Sequence, residues 1–287
     1  MAALPLMVNA GNYWQWSPGS MKINALFSDH LIARSSRLLA LPLIVFFALP
    51  IAILFLRVSP AQLVASLGKE QVYQAVGVSL KTTLISLGVI LLSGTPLAYW
   101  MGRYDFRFKR LLDTLIDLPT ILPPSVAGVA LLMTFGRRGL LGGWLEAIGV
   151  QISFTQAAVV LAQVFIAAPF YVRAAALGFA NVDQEIEQAA QLDGANRWQV
   201  FRYVILPLSR YALISGSMMS WARALGEFGA TMIFAGNYIG RTQTMPTAIY
   251  LGFEVDLTIA LTLSVILVTI SFCSILLIKV LAASRST

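Results

Sequence analysis

Six apolar runs, separated by polar and charged segments, set the pattern of this chain. The first, Leu38 to Leu56, is uncharged and bracketed by Arg37 and Arg57. The second extends from about Gly77 to Met101 and ends at Arg103, with Lys81 close enough to its outer end to snorkel. The third runs from about Leu118 to Phe135 and carries Pro119, Pro123 and Pro124 in its first part. The fourth lies between about Ala157 and Val172. The fifth, about Leu208 to Ala224, is flanked by Arg210 and Arg223 and is the weakest by hydropathy. The sixth, Leu257 to Ile278, is clean and ends at Lys279. A spanning helix takes about 20 apolar residues. The pattern therefore predicts an all-α, polytopic membrane protein with six transmembrane helices. They form one transmembrane domain, residues 37–281, between an interfacial tail at 1–36 and a short tail at 282–287. No repeat of 20–50 residues is visible.

Composition agrees. Of 287 residues, 58% are hydrophobic and 11% charged, against about 25% charged in a soluble domain. The net charge of +7 is explained by lysine and arginine in cytoplasmic loops, and no basic stripe with interleaved aromatics points to nucleic acid. Thirteen of the 20 basic residues fall on the faces that hold both predicted tails, six on the opposite faces, and Lys81 within a span. This places both termini in the cytoplasm; Arg137 and Arg138 run against the rule. One cysteine, Cys273, and one histidine, His30, leave no disulfide framework or histidine metal site within the chain. Trp14 and Trp16 suit a membrane interface. Met21, followed by Lys22, is an alternative start, and the first apolar run comes too late and is too long for a cleaved signal.

Between the fourth and fifth spans lies a polar, helix-forming insert, Asp183 to Pro207. Asp183, Glu185 and Glu187 suit a helix N-terminus, where the macrodipole favours negative charge. Ala189 and Ala190 permit close approach by another surface. Gly194 can supply a left-handed stop, and Asn196 can cap a second helix. Trp198 and Phe201 read as exposed, yet Val200, Phe201 and Val204 also recur at helical spacing and can face the bundle. Pro207 suits the first turn of the next helix. The expectation is helix, tight turn, helix along the cytoplasmic face. Composition alone fits an ordinary interfacial connector as well as a docking element.

A second polar constellation follows at the outer end of span five. Arg223 and Glu227 are four apart and share a helix face. Ionisable residues at such depth face an aqueous cavity, a bundle interior or each other. Gly226, Gly229 and Gly236 allow close approach or a break, and Asn237 to Pro246 reads as an external loop bearing Thr242 and Thr244. An internally neutralised pair and an anion-attracting Arg223 are both compatible with these residues.

Two resemblances bear on these readings. Glu187-Gln188-Ala189-Ala190, three residues, Gly194-Ala195, then Phe201 and Leu206-Pro207, resembles the signature cytoplasmic loop of bacterial ABC-importer permease subunits. The motif's glutamate falls on Gln188, which weakens the case for an ion pair at that position. The stretch Ala222-Arg223-Ala224-x-Gly226-Glu227-Phe228-Gly229 is similar to the oxyanion branch of that family. Ala230-Thr231, Gly240-Arg241-Thr242-x-Thr244-x-Pro246 and Ala248-Ile249-Tyr250 look more like the molybdate/tungstate type than the related sulfate permeases. The likeness covers most of residues 70–281.

The resemblance implies a type I ABC-importer permease fold in the bacterial inner membrane. It implies two permease copies with a pore between them, two ATP-binding subunits and an extracytoplasmic oxyanion-binding protein. It makes roughly Glu187 to Arg197 a coupling helix, with Glu187, Gln188, Ala189, Ala190, Asp193, Gly194 and Ala195 toward the ATPase and Pro207 as the hinge to span five. Arg223, Glu227, Gly229, Thr231 and Thr244 become candidates for the translocation pathway. No Gly-x-x-x-x-Gly-Lys-Ser/Thr cradle is present, so ATP is expected on a partner, with no cofactor or metal bound by this chain and no catalytic residue. The rivals are a sulfate or other anion permease, a membrane-embedded enzyme and a scaffold. The single histidine and the lack of a Gly-x-Ser-x-Gly elbow argue against the enzyme. A scaffold leaves the break in span five unexplained.

Overall fold

The computed structural model describes residues 39–283, with side chains to residue 276. The 1–36 tail, with Trp14, Trp16, Met21 and His30, lies outside the described residues. The chain divides into residues 1–53 and 54–287. Helix α1 (Leu39–Arg57) begins in the first unit and matches the first apolar run.

Among its described residues the regular elements of the second unit are all helices: α2 (Pro60–Leu67), α3 (Glu70–Arg103), α4 (Lys109–Ile121), α5 (Pro124–Phe135), α6 (Gly142–Ala147), α7 (Gln156–Ala180), α8 (Gln184–Leu192), α9 (Arg197–Val200), α10 (Leu206–Leu208), α11 (Arg210–Leu225), α12 (Gly229–Phe234), α13 (Met245–Val255) and α14 (Leu257–Ala283). Helix α7 is the hub. Its densest packing is against α3 and α11, through Ala167, Tyr171, Val172, Ala175 and Phe179. Small residues dominate that seam because close packing, rather than hydrophobic expulsion, holds helices together in lipid. A buried polar zip adds direction: the Ser86 hydroxyl donates to Gln163 Oε1 at 2.8 Å, and Gln163 Nε2 donates to Thr82 at 3.2 Å. Lys81, expected to snorkel, donates to Gln156 Oε1 at 3.0 Å at the exposed start of α7.

Two expectations change. The third apolar run is not one straight span: α4 and α5 meet at 115°. Pro123 and Pro124 sit at that joint, and the residue before a proline is driven out of the helical region; Leu122 accordingly has ψ 138. The fifth run lies where expected, as α11, but its 16 residues fall short of the about 20 of a spanning helix. Among the described residues, four helices are long and apolar enough to cross a bilayer, and five with the bent pair. The fourth span runs on to Ala180 and the sixth to Ala283, because neither meets a breaker where its apolar run fades.

Candidate functional site

The insert after α7 folds from local signals. The Asp183 carboxylate accepts the Glu185 N–H at 3.0 Å and opens α8. At the other end Gly194 has φ +92°, the Gly194 N–H returns to the Gln191 carbonyl and the Ala195 N–H to the Ala190 carbonyl, both at 3.0 Å. This paired closure needs a left-handed residue, which glycine adopts without a Cβ penalty. Asn196 then starts α9 with a reciprocal box: its side chain accepts the Gln199 N–H at 2.9 Å, and Gln199 accepts the Asn196 N–H at 2.8 Å. The expected helix, turn, helix is present with both caps.

One face of this hairpin binds the bundle. Val200 is buried, and Ala190, Ala195, Phe201 and Val204 pack on the core formed by α3 and α7. Phe201 lies edge-on to Tyr99 at 5.0 Å, so it belongs to the inward face and is not an exposed anchor. Glu187 turns inward to an ion pair with Arg103. The other face is open: Gln188, Ala189, Asp193 and Gly194 are exposed, as are Leu192 and Trp198, 89% and 66%. Glu187 and Gln188 are about 100° apart on a helix, which sends one to the bundle and the other outward.

Beyond α9 the backbone widens into a π turn, Phe201–Ile205, and the Leu206 N–H returns to Phe201. Pro207 has no N–H to offer, and in a regular helix its ring would crowd the Tyr203 carbonyl; the wider turn relieves both. Pro207 thus lies within the short α10 that follows the π turn. The Ser209 hydroxyl donates to the Gly178 carbonyl at 3.1 Å and fixes the entry of α11 against α7.

The second constellation sits where α11 ends. Glu227 is 1% exposed; its Oε1 accepts the Ala230 N–H at 2.8 Å and its Oε2 lies 3.0 Å from Arg223 Nη1. The carboxylate thus bridges the last turn of α11 and the first of α12. Arg223 keeps 31% of its side chain exposed. A Cβ on Gly229 would lie 2.7 Å from Pro124 Cβ, so only glycine lets α12 start against the start of α5. Two helix breaks are therefore side by side, with an arginine at their edge. Thr231 follows on α12, fully buried, its hydroxyl without a partner. Thr244 is also buried: it caps α13 with Thr247, and the next residue, Met245, donates its N–H to Ser79 Oγ at 2.7 Å. The segment expected as an external loop is thus folded inward at Thr242, Gln243 and Thr244. Arg103, 84 residues from Glu187, carried no local signal beyond ending an apolar run.

The hairpin thus has one face anchored on the bundle and one face open. Residues 94–286 match the family described as the inner membrane component of binding-protein-dependent transport systems, and the chain belongs to that family. It is a multi-pass membrane component of a transporter and not an enzyme. The molybdenum transport system permease protein ModB of Mycobacterium tuberculosis is 40% identical over 228 residues, 79% of this chain and 86% of that protein. ModB of Escherichia coli K12 is 41% identical over 179 residues, 62% of this chain and 78% of that protein. Among solved structures, a chain of the bacterial ABC transporter involved in import of the acidic polysaccharide alginate superposes with TM-score 0.69, covering 92% of this chain and 100% of that one. A chain of the MetNI methionine ABC transporter does so at 0.56, covering 74% and 95%. At 16% and 18% identity these two establish the fold alone.

Proposed function

We propose that this chain is the permease of an ATP-driven importer for a tetrahedral oxyanion, molybdate or tungstate. The observation that carries the reading is the similarity to molybdenum permeases over most of their length. The arrangement at the helix break supports it. Arg223 offers a guanidinium for an anion, and the buried Glu227 offsets part of its charge. A site so balanced binds and then lets go, as conduction requires. Gly229 keeps the break tight. Thr231 and Thr244, enclosed in this conformation, offer replaceable hydrogen bonds when the pathway opens.

The working assembly is two copies of this permease around a shared pathway, since a symmetric pore needs one self-complementary surface. Two ATP-binding subunits sit beneath, and an extracytoplasmic binding protein delivers the anion. ATP is held by the partner. The open face of the hairpin, with Gln188, Ala189, Asp193, Gly194, Leu192 and Trp198, docks on the ATPase, while Ala190 and Ala195 seat the inner face. Closure of the ATPases moves the hairpin, and Pro207 passes the motion to α11. Both termini are cytoplasmic in this reading, which the distribution of basic residues supports.

The test is uptake and ATP hydrolysis by the assembled complex with its binding protein in proteoliposomes. Molybdate uptake that persists in a large excess of sulfate is the expected result. Hydrolysis stimulated by sulfate and not by molybdate or tungstate would overturn the substrate assignment.

A further inference from the structure

We infer that Arg103 is a positioning residue that ties the ATPase-facing hairpin to α3 and α7, so that α8 moves with these two helices as one body. The inference rests on the permease reading and not on the identity of the cargo. Arg103 is the last residue of α3. Its Nη1 donates to the carbonyls of Phe179 and Val182 at 3.1 and 2.8 Å, and its Nη2 to Glu187 Oε1 on α8. One planar guanidinium therefore serves α3, the C-terminal end of α7 and the coupling hairpin.

The surroundings make this a rigid joint. The Arg103 and Glu187 side chains are 8% and 15% exposed, and charge-assisted bonds gain strength away from water. Phe179 lies in the last turn of α7 and Val182 just past its end, and a cation is favoured at a helix C-terminus. A Cβ on Gly102 would lie 2.5 Å from the Ala176 carbonyl oxygen, so the residue beside Arg103 lets α3 meet α7 at backbone distance. Tyr99 packs edge-on against Phe179 and Phe201, at 5.6 and 5.0 Å, closing the joint with one ring from each segment. By contrast, the covalent route from the hairpin to α11 passes through a π turn and Pro207, where the regular hydrogen-bond ladder is interrupted. The stroke therefore enters α3 and α7 directly through Arg103, in parallel with the path through α11.

Two measurements on the assembled complex test this. In a Cys273→Ser background, spin labels at Asp105, just past α3, and at Gln184, at the start of α8, report the distance with and without ATP. The expected result is one unchanged narrow distribution in the otherwise native chain and a broadened or ATP-dependent one in Glu187→Gln. In proteoliposomes, molybdate taken up per ATP hydrolysed should fall on the order of ten-fold in Arg103→Ala and Glu187→Gln. It should stay low in Arg103→Lys, whose single ammonium cannot reproduce the fork. If Arg103→Ala does not assemble, Glu187→Gln decides alone. A native uptake ratio together with an unchanged distance in Glu187→Gln overturns the inference. The distance arm uses ATP only, so it still decides if molybdate proves to be the wrong cargo.

Discussion

Arg223 and Glu227 are joined across 3.0 Å at the point where α11 stops, and the same carboxylate receives the Ala230 N–H that opens α12. One acidic group thus caps a helix, holds an arginine and sets how much positive charge remains for an anion. Glu227→Gln keeps an oxygen for the Ala230 N–H but frees the full Arg223 charge. The expected outcome is a lower KM for molybdate uptake with a lower kcat, since a stronger ground-state site releases more slowly. Glu227→Ala also orphans a buried N–H and should cost about 1–3 kcal/mol in detergent unfolding.

Arg223→Ala separates the roles of the pair. Uptake should fall on the order of ten-fold with the complex still assembled, an effect of the size expected for one lost charge-assisted contact. Uptake rates equal to those of the native complex would leave Arg223 a purely structural role.

At Gly194 the φ of +92° is the constraint, because an added Cβ would meet nothing within 4 Å. A side chain there costs roughly 1–2 kcal/mol in backbone strain. Gly194→Asn, which tolerates the left-handed region, should be milder than Gly194→Val. Co-purification with the ATPase and the ratio of uptake to hydrolysis should rank in that order.

Arg173 of α7 holds α4 by a fork: Nε to Asp117 Oδ1 and Nη1 to Asp113 Oδ1, both at 2.7 Å, with Nη2 on the Asp113 carbonyl at 2.8 Å. All these side chains are partly open to solvent, so screening reduces the value of the cluster. Arg173→Lys, which cannot bridge two carboxylates in that geometry, should lower stability by about 1 kcal/mol. Hydrogen exchange in Lys109–Ile121 should rise while α7 stays protected.

Asp256, between α13 and α14, receives Lys69 Nζ at 2.9 Å and the Thr258 N–H at 2.9 Å. The Lys69 hydrogen bond, with the backbone N–H groups of Thr258 and Ile259, holds its carboxyl below the ordinary value. A depressed carboxylate stabilises the fold above its unfolded value, near 4, and that contribution is lost as pH falls through the lower folded value. The Tm difference between the native chain and Asp256→Asn should therefore be constant near neutrality, begin to shrink near about pH 4 and vanish only below the lower folded value. Added salt should shrink the Lys69 part of it.

The membrane class, the first and last spans and both caps of the hairpin were legible from residues alone. Leu38 to Leu56 and Leu257 onward are long uninterrupted apolar runs, and transfer into lipid acts residue by residue, so no knowledge of neighbours is needed. Asp183, Gly194 and Asn196 act on backbone groups two to five positions away, which keeps their effect within reach of a short motif. Pro123 and Pro124 were visible within the third run, which reads along the chain as one span; the 115° turn between α4 and α5 depends on what α5 and α12 pack against. Only the tertiary structure decided which side of the hairpin Phe201 occupies, that Thr244 is buried next to Met245, whose N–H meets Ser79 of α3, and that Glu187 answers Arg103 from 84 residues away. Those outcomes come from helices meeting side by side. Packing in three dimensions selects partners by distance and shape, and the spacing of residues along the chain carries no record of it.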